Sequence, residues 1–171
     1  MRVTASLGAI MLRELDTLRS EIAAYPSDAD LWRVVPGISN PGGTLALHLT
    51  GNLRHFIGAK LGGTGYVRDR EAEFSRKDLT RADLIRIVDQ TVEELERSFG
   101  GLQEAELGRE YPDAVAKVRL KTGDFLTHLA SHFSYHLGQL DYHRRIVTGG
   151  GPVGGALSPT KLSSAHPEAT S

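Results

Sequence analysis

Apolar residues recur along this chain at helical spacing. From about Val3 to Tyr25, Leu7, Met11, Leu15, Leu18 and Ile22 fall on one stripe, and Pro26 ends it. After a loop carrying Trp32, Asn40-Pro41 offers an N-cap and a first-turn proline. They open a second helix with Leu45, Leu49, Leu53 and Phe56 on its apolar face, ending near Gly62-Gly63. The third starts at Thr80, where Thr80 and Asp83 have capping-box spacing, and carries Leu84, Val88, Val92, Leu95 and Phe99 up to Gly100-Gly101. The fourth spans about Thr122 to Val147 and stops at Gly149-Gly150-Gly151. Strand-like alternation is weak and confined to Tyr66-Val67 and residues 115–120. The pattern predicts an all-α fold, a four-helix bundle over residues 1–148. Residues 149–171 have linker composition with little to bury, so a disordered tail is expected there. The connections at 63–79 and 100–121 are long for a bundle, and such loops are often functional.

A length of 171 residues suits one domain with one core. Lys and Arg number 20 against 21 Asp and Glu, so no strong field favours nucleic acid or an anionic membrane. No apolar run approaches the roughly 20 residues needed to span a bilayer, and the first residues become charged too early for a secretory signal. A cytoplasmic location is expected. Cysteine is absent, which removes disulfides, Cys-ligated zinc, Fe–S clusters and a cysteine nucleophile. Thiol chemistry here would need a thiol brought by a second molecule.

Histidine is where the chemistry concentrates. Of seven histidines, His128, His132, His136 and His143 lie on the fourth predicted helix. An i,i+4 step rotates by about 40°, so His132 and His136 share a face one turn apart, and Gln139 and His143 extend that stripe. It borders the apolar sector of Leu129, Phe133, Leu137 and Leu140, next to the bundle interior where facing helices build metal sites. Two imidazoles hold a divalent ion weakly. A third ligand must come from elsewhere, and the second helix offers His48, Asn52 and His55 at i, i+4, i+7. Three imidazoles with an open fourth position form a catalytic type of site, and zinc, nickel, iron and cobalt all accept imidazole.

Other templates fail. His132-Phe-Ser-Tyr-His136 lacks the glutamate of H-E-x-x-H peptidases, and no Glu stands three residues before a helical histidine as di-iron bundles require. G-x-S-x-G and P-loop patterns are missing. Arg68 and Arg70 could grip a substrate carboxylate, although a charged loop is normally just solvated. Trp32 reads as a packing residue. Gly138, inside a helix where glycine costs about 1 kcal/mol relative to alanine, suggests close approach of a neighbour or ligand.

The run His132-Phe-Ser-Tyr-His136-Leu-Gly138-Gln139 resembles the H-x-x-x-H-x-G-Q signature on the last bundle helix of DinB-like (YfiT-like) proteins, the S-transferase-like metal-binding bundles. Leu45-Ala-Leu-His48-Leu matches the family's L-x-x-H-L context better than Arg54-His55-Phe does. The resemblance therefore implies a metal held by His48, His132 and His136. Asn52, His55, His128, Tyr135, Gln139 and His143 are candidates to orient those ligands or to touch the substrate. Tyr135 stands where members usually carry the first His of a doublet, and Phe133 where an acidic residue is common. The resemblance covers about residues 1–147 and implies an up-down-down-up bundle, often a homodimer, whose characterised members use low-molecular-weight thiols.

The expectation is one divalent metal, with Zn, Ni and Fe not distinguished, and a thiol cosubstrate acting on a small electrophile. The same ion would also activate water, which leaves a metal-dependent hydrolase as an alternative. A non-catalytic metal-binding helical dimer of stress-response type is the third reading. Its partner is expected to be a small molecule, with neither nucleic acid nor membrane involved.

Overall fold

Six α-helices form among the residues described by the computed structural model, which are 2–153, 158–162 and 164–167. The bundle is built from α1 (Val3–Ala23), α3 (Gly42–Leu53), α5 (Arg81–Gly101) and α6 (Thr122–Thr148). Two short helices, α2 (Asp28–Leu31) and α4 (Arg70–Ser75), lie in the connections. The all-α class is as the periodicity predicts. On α1, Met11, Leu15, Leu18 and Ile22 have no exposed surface, and Leu7 is nearly as buried. Each such side chain stabilises the fold by about 1.5–3 kcal/mol relative to exposure, enough to hold a helix with no side-chain N-cap. Against this stripe pack Leu84, Val88 and Leu95 of α5 and Leu126, Leu129, Phe133, Leu137 and Leu140 of α6, with Leu45, Leu49 and Leu53 of α3 closing the core.

The capping box is formed as expected. Thr80 Oγ1 accepts from Asp83 N at 3.1 Å while the Asp83 carboxylate accepts from Thr80 N at 3.0 Å. The second predicted helix differs in two ways. Pro41 is the N-cap itself, so α3 begins one residue later than the Asn40-Pro41 pair implies. Its last turns, Arg54–Ala59, also widen into a π-helix, with Lys60 N bonding His55 O at 3.2 Å and Gly62 N bonding Ile57 O at 2.9 Å. A six-residue segment is too short for apolar spacing to tell i→i+5 from i→i+4 bonding, so the sequence pattern does not separate a π turn from an α turn here.

The long connections carry structure of their own. Asp69 caps α4, accepting from Ala72 N at 2.9 Å. In the second connection a 3₁₀ turn at Glu104–Gly108 precedes isolated antiparallel bridges pairing Glu110 with Lys121 and Val115 with Val118. Among the described residues these bridges stop short of a strand. Ala116 and Lys117 take positive φ, 48° and 68°, at the tip of that turn.

The tail expectation falls in part on residues 154–157, 163 and 168–171, which lie outside the described residues. Of the described part, Pro159–Lys161 form a 3₁₀ turn and Lys161 pairs with Asp16 of α1. Among the described residues, no helix is long and apolar enough to cross a membrane.

Candidate metal centre

Helix α3 is apolar toward the core, and its buried edge delivers His48 against α6, where His132 and His136 stand one turn apart. One ligand nitrogen from each of these three histidines lies within 4.8 Å of the others. His48 Nε2 and His132 Nε2 are 3.5 Å apart. The rings meet edge to face, with centroids 5.3 Å apart for His48–His132, 5.3 Å for His48–His136 and 4.6 Å for His132–His136. A tetrahedral ion with bonds of about 2.0–2.1 Å to imidazole nitrogen holds its donors roughly 3.3–3.4 Å apart, so the Nε2 pair is spaced for a shared ion.

The outer nitrogens orient these rings. His48 Nδ1 donates to Glu73 Oε2 at 3.0 Å, which leaves the lone pair on Nε2. Arg68 Nη2 also lies 3.4 Å from that Nδ1, but the carboxylate is closer and can only accept, so the proton belongs on Nδ1. Arg68 grips the same carboxylate, Nε to Oε1 at 2.6 Å and Nη2 to Oε2 at 2.8 Å. Burial would raise the Glu73 pKa, yet the hydrogen bonds from Arg68 and His48 bring it below its ordinary value. Glu73 is therefore a buried, ionised acceptor. His136 Nδ1 lies 2.7 Å from Gln139 Oε1 and donates to it, turning its own Nε2 lone pair outward to the cluster. His132 is pushed down to about 4, by burial first and then by His136, His48, His128 and Arg68. A neutral imidazole at ordinary pH suits a metal ligand.

The cluster opens into a cleft of about 530 Å³. Both long connections line it, the first through Arg68, Arg70 and Phe74 and the second through Val115 and Ala116. A neighbouring depression of about 360 Å³ shares Asn40, Leu45 and His136 and reaches Tyr135 and Gln139. A larger groove of about 630 Å³ lies between α1 and α5 under Lys161 and is lined by no histidine.

Of the other residues singled out by sequence, the structure brings Asn52 and His128 to the cleft wall, and Gln139 to His136. Tyr135 is exposed beside His136, with ring centroids 5.1 Å apart. His55 is not brought to the cluster. It sits in the π-helical turn against Phe56, and its Nδ1 is buried without a hydrogen-bond partner among the described residues. Burial, then Lys60 and Arg68, lowers its pKa. His143 is fully buried in the core and lies elsewhere. Its Nε2 donates to Arg33 O at 2.8 Å, so Nδ1 accepts from Tyr25 Oη at 2.7 Å, and burial lowers its pKa.

Glu73 is the site residue that sequence reasoning missed. A signal existed in Gly51, a glycine inside α3. A Cβ there would stand 2.3 Å from Glu73 Oε1, so the carboxylate reaches His48 only across a glycine. Gly138 shows the opposite. The close approach expected there is not made by any neighbour among the described residues, since a Cβ would meet nothing within 4 Å.

The family described as "Protein of unknown function (DUF1572)" matches residues 11–151. In structure, the chain is similar to a DinB-like protein from Bacillus cereus ATCC 10987, with a TM-score of 0.56 and 16% sequence identity over 84% of this chain and 90% of that one. At that identity the likeness shows the fold. No curated protein matches the sequence.

Proposed function

The chain belongs to the DUF1572 family, a DinB-like family, and on that footing we propose that it binds one divalent metal ion through His48, His132 and His136 and acts as a thiol-dependent S-transferase on a small electrophile. The observation that supports this best is the convergence of three imidazole nitrogens within 4.8 Å, one of them oriented by a buried carboxylate. A bound divalent ion supplies positive charge, undiminished by three neutral ligands, that favours the thiolate over the thiol near neutral pH. The chain has no cysteine, so that sulfur must arrive on a second molecule.

In the reaction, the thiol loses its proton to solvent, its sulfur forms a bond to the electrophilic carbon, and the leaving group departs with the bonding pair. The protein's own residues position and shield these partners. Glu73 and Gln139 hold two of the rings in one tautomer, and Leu45, Phe56, Phe74 and Leu129 give the cleft apolar walls that exclude water from the sulfur. The exposed His128, whose ring centroid is 6.1 Å from that of His132, stands at the cleft wall where it meets the incoming molecule.

Metal analysis of protein purified without an affinity tag, followed by electrophile consumption with and without added thiol, tests the proposal. One ion per chain and turnover only with thiol are expected. Turnover without thiol would make the protein a hydrolase. Bound metal with neither activity would make it a metal-bearing binding protein, and no metal would overturn the centre itself.

A further inference from the structure

The cleft wall has a one-sided charge. Its lining includes Arg68, Arg70, His48, His128, His132 and His136, but no aspartate or glutamate. Arg68 is neutralised, because both of its bonded nitrogens are committed to Glu73. Arg70 is not. It forms no ion pair among the described residues, and its guanidinium lies over the Phe74 ring, 5.1 Å from the centroid. Phe74 in turn packs against His48 with centroids 5.1 Å apart. Two ring-sized steps thus separate a free guanidinium from a histidine of the cluster. An exposed arginine is ordinarily solvated. This one is held by stacking on an aromatic ring, which leaves its N–H fork available for an anion. A chain with a formal charge of −1 gathers in this cleft cationic and neutral groups alone.

We propose that Arg70 is the anion anchor of this cleft, and that the small molecules it takes carry a carboxylate that Arg70 pairs with while their reacting end reaches the three histidines. This inference rests on the proposed metal centre for the identity of the reacting end, and on Arg70, Phe74 and the acid-free lining for the carboxylate. The stacked guanidinium offers two parallel N–H donors to a carboxylate, and lysine at this position would retain the charge but lose the fork. Arg70 is exposed at the first turn of α4, which Asp69 caps, so Arg70→Gln leaves the fold intact.

The test compares two pairs of probes. On cobalt-loaded protein, the thiolate-to-cobalt absorption band reports binding of 3-mercaptopropionate and of uncharged 2-mercaptoethanol. On metal-free protein, NMR shift changes report succinate against succinamide. Wild type is expected to bind each acid at least about tenfold more tightly than its neutral partner, with Arg70→Gln erasing the difference and Arg70→Lys keeping part of it. An Arg70-dependent preference for mercaptopropionate assigns the carboxylate to the thiol. The same preference for succinate alone assigns it to the electrophile. If acid and neutral probes bind equally in both pairs, or if Arg70→Gln preserves the preference, the proposal is overturned. Failure of the protein to take up cobalt would instead sink the three-histidine centre, and the succinate pair would still decide Arg70.

Discussion

The Nδ1 of His48 and the Oε2 of Glu73 lie 3.0 Å apart, and this bond ties a bundle helix to a six-residue helix in a loop. Its consequence is that loop α4 determines which His48 nitrogen carries the proton. Arg68, bound to the same carboxylate, keeps Glu73 ionised despite burial.

Glu73→Gln is therefore expected to weaken divalent metal binding by about 10–100-fold, the usual effect of losing an outer partner of a histidine ligand. Competition against a chromogenic chelator measures it. Affinity equal to wild type would show that Glu73 serves only to neutralise Arg68.

Metal content and stability should part company across the histidines. Alanine at His48, His132 or His136 is expected to abolish stoichiometric metal while changing the melting temperature of the metal-free protein little. His143→Ala is expected to keep the metal but lower stability by about 2–4 kcal/mol, because it leaves a cavity and unpairs Tyr25 and the Arg33 carbonyl. His55→Ala should also keep the metal, and loss of the ion from that variant would place the third ligand wrongly.

Two helical glycines should respond in opposite senses. Gly51→Ala drives a methyl into the Glu73 carboxylate, which can move only by giving up Arg68 or His48, so metal affinity should drop. Gly138→Ala has open space around its Cβ and should stabilise the helix by about 0.5–1 kcal/mol. Chemical denaturation and chelator competition on the two variants read both effects. A destabilised Gly138→Ala would show that something other than this chain needs the space.

Acid should destabilise the metal-free protein through His132. Burial and then neighbouring imidazoles hold it at about 4 against an ordinary 6.5, so between those values the unfolded chain takes up a proton that the folded chain refuses. Stability is retained above about 6.5 and lost progressively as pH falls toward 4. His143, lowered by burial, acts in the same direction. Glu14 and Glu21, raised by burial, act in the opposite one, so the comparison must be made between variants. In chelator, His132→Gln is expected to lose less melting temperature than wild type between pH 7 and pH 4.5. Parallel curves would show that His132 takes up its proton equally well folded and unfolded.

The helices and the His132–His136 pair were legible in sequence because each depends on spacing along one stretch of chain. An apolar stripe such as Met11-Leu15-Leu18-Ile22 has one way to be buried, and His132 and His136 share a face of any α-helix. The choice of His48 over His55 came from the resemblance to DinB-like proteins, whose L-x-x-H-L context Leu45–Leu49 matches, and not from spacing, which left both open. What the tertiary structure alone decided involves contacts between segments distant in sequence. Glu73 reads as one acid in a charged loop until α4 folds over Gly51 and buries it against His48, 25 residues away. Arg68 and Arg70 are two residues apart and chemically identical, yet one is neutralised by Glu73 and the other stacks free on Phe74. His143 shares the helical stripe of His136 but drops into the core, because Tyr25 and the Arg33 carbonyl, more than 100 residues earlier, supply its two hydrogen-bond partners. Spacing sets which side chains share a face. Which of those faces meets a carboxylate, an aromatic ring or solvent depends on the packing of the other helices and loops, where the desolvation and hydrogen-bond energies are settled.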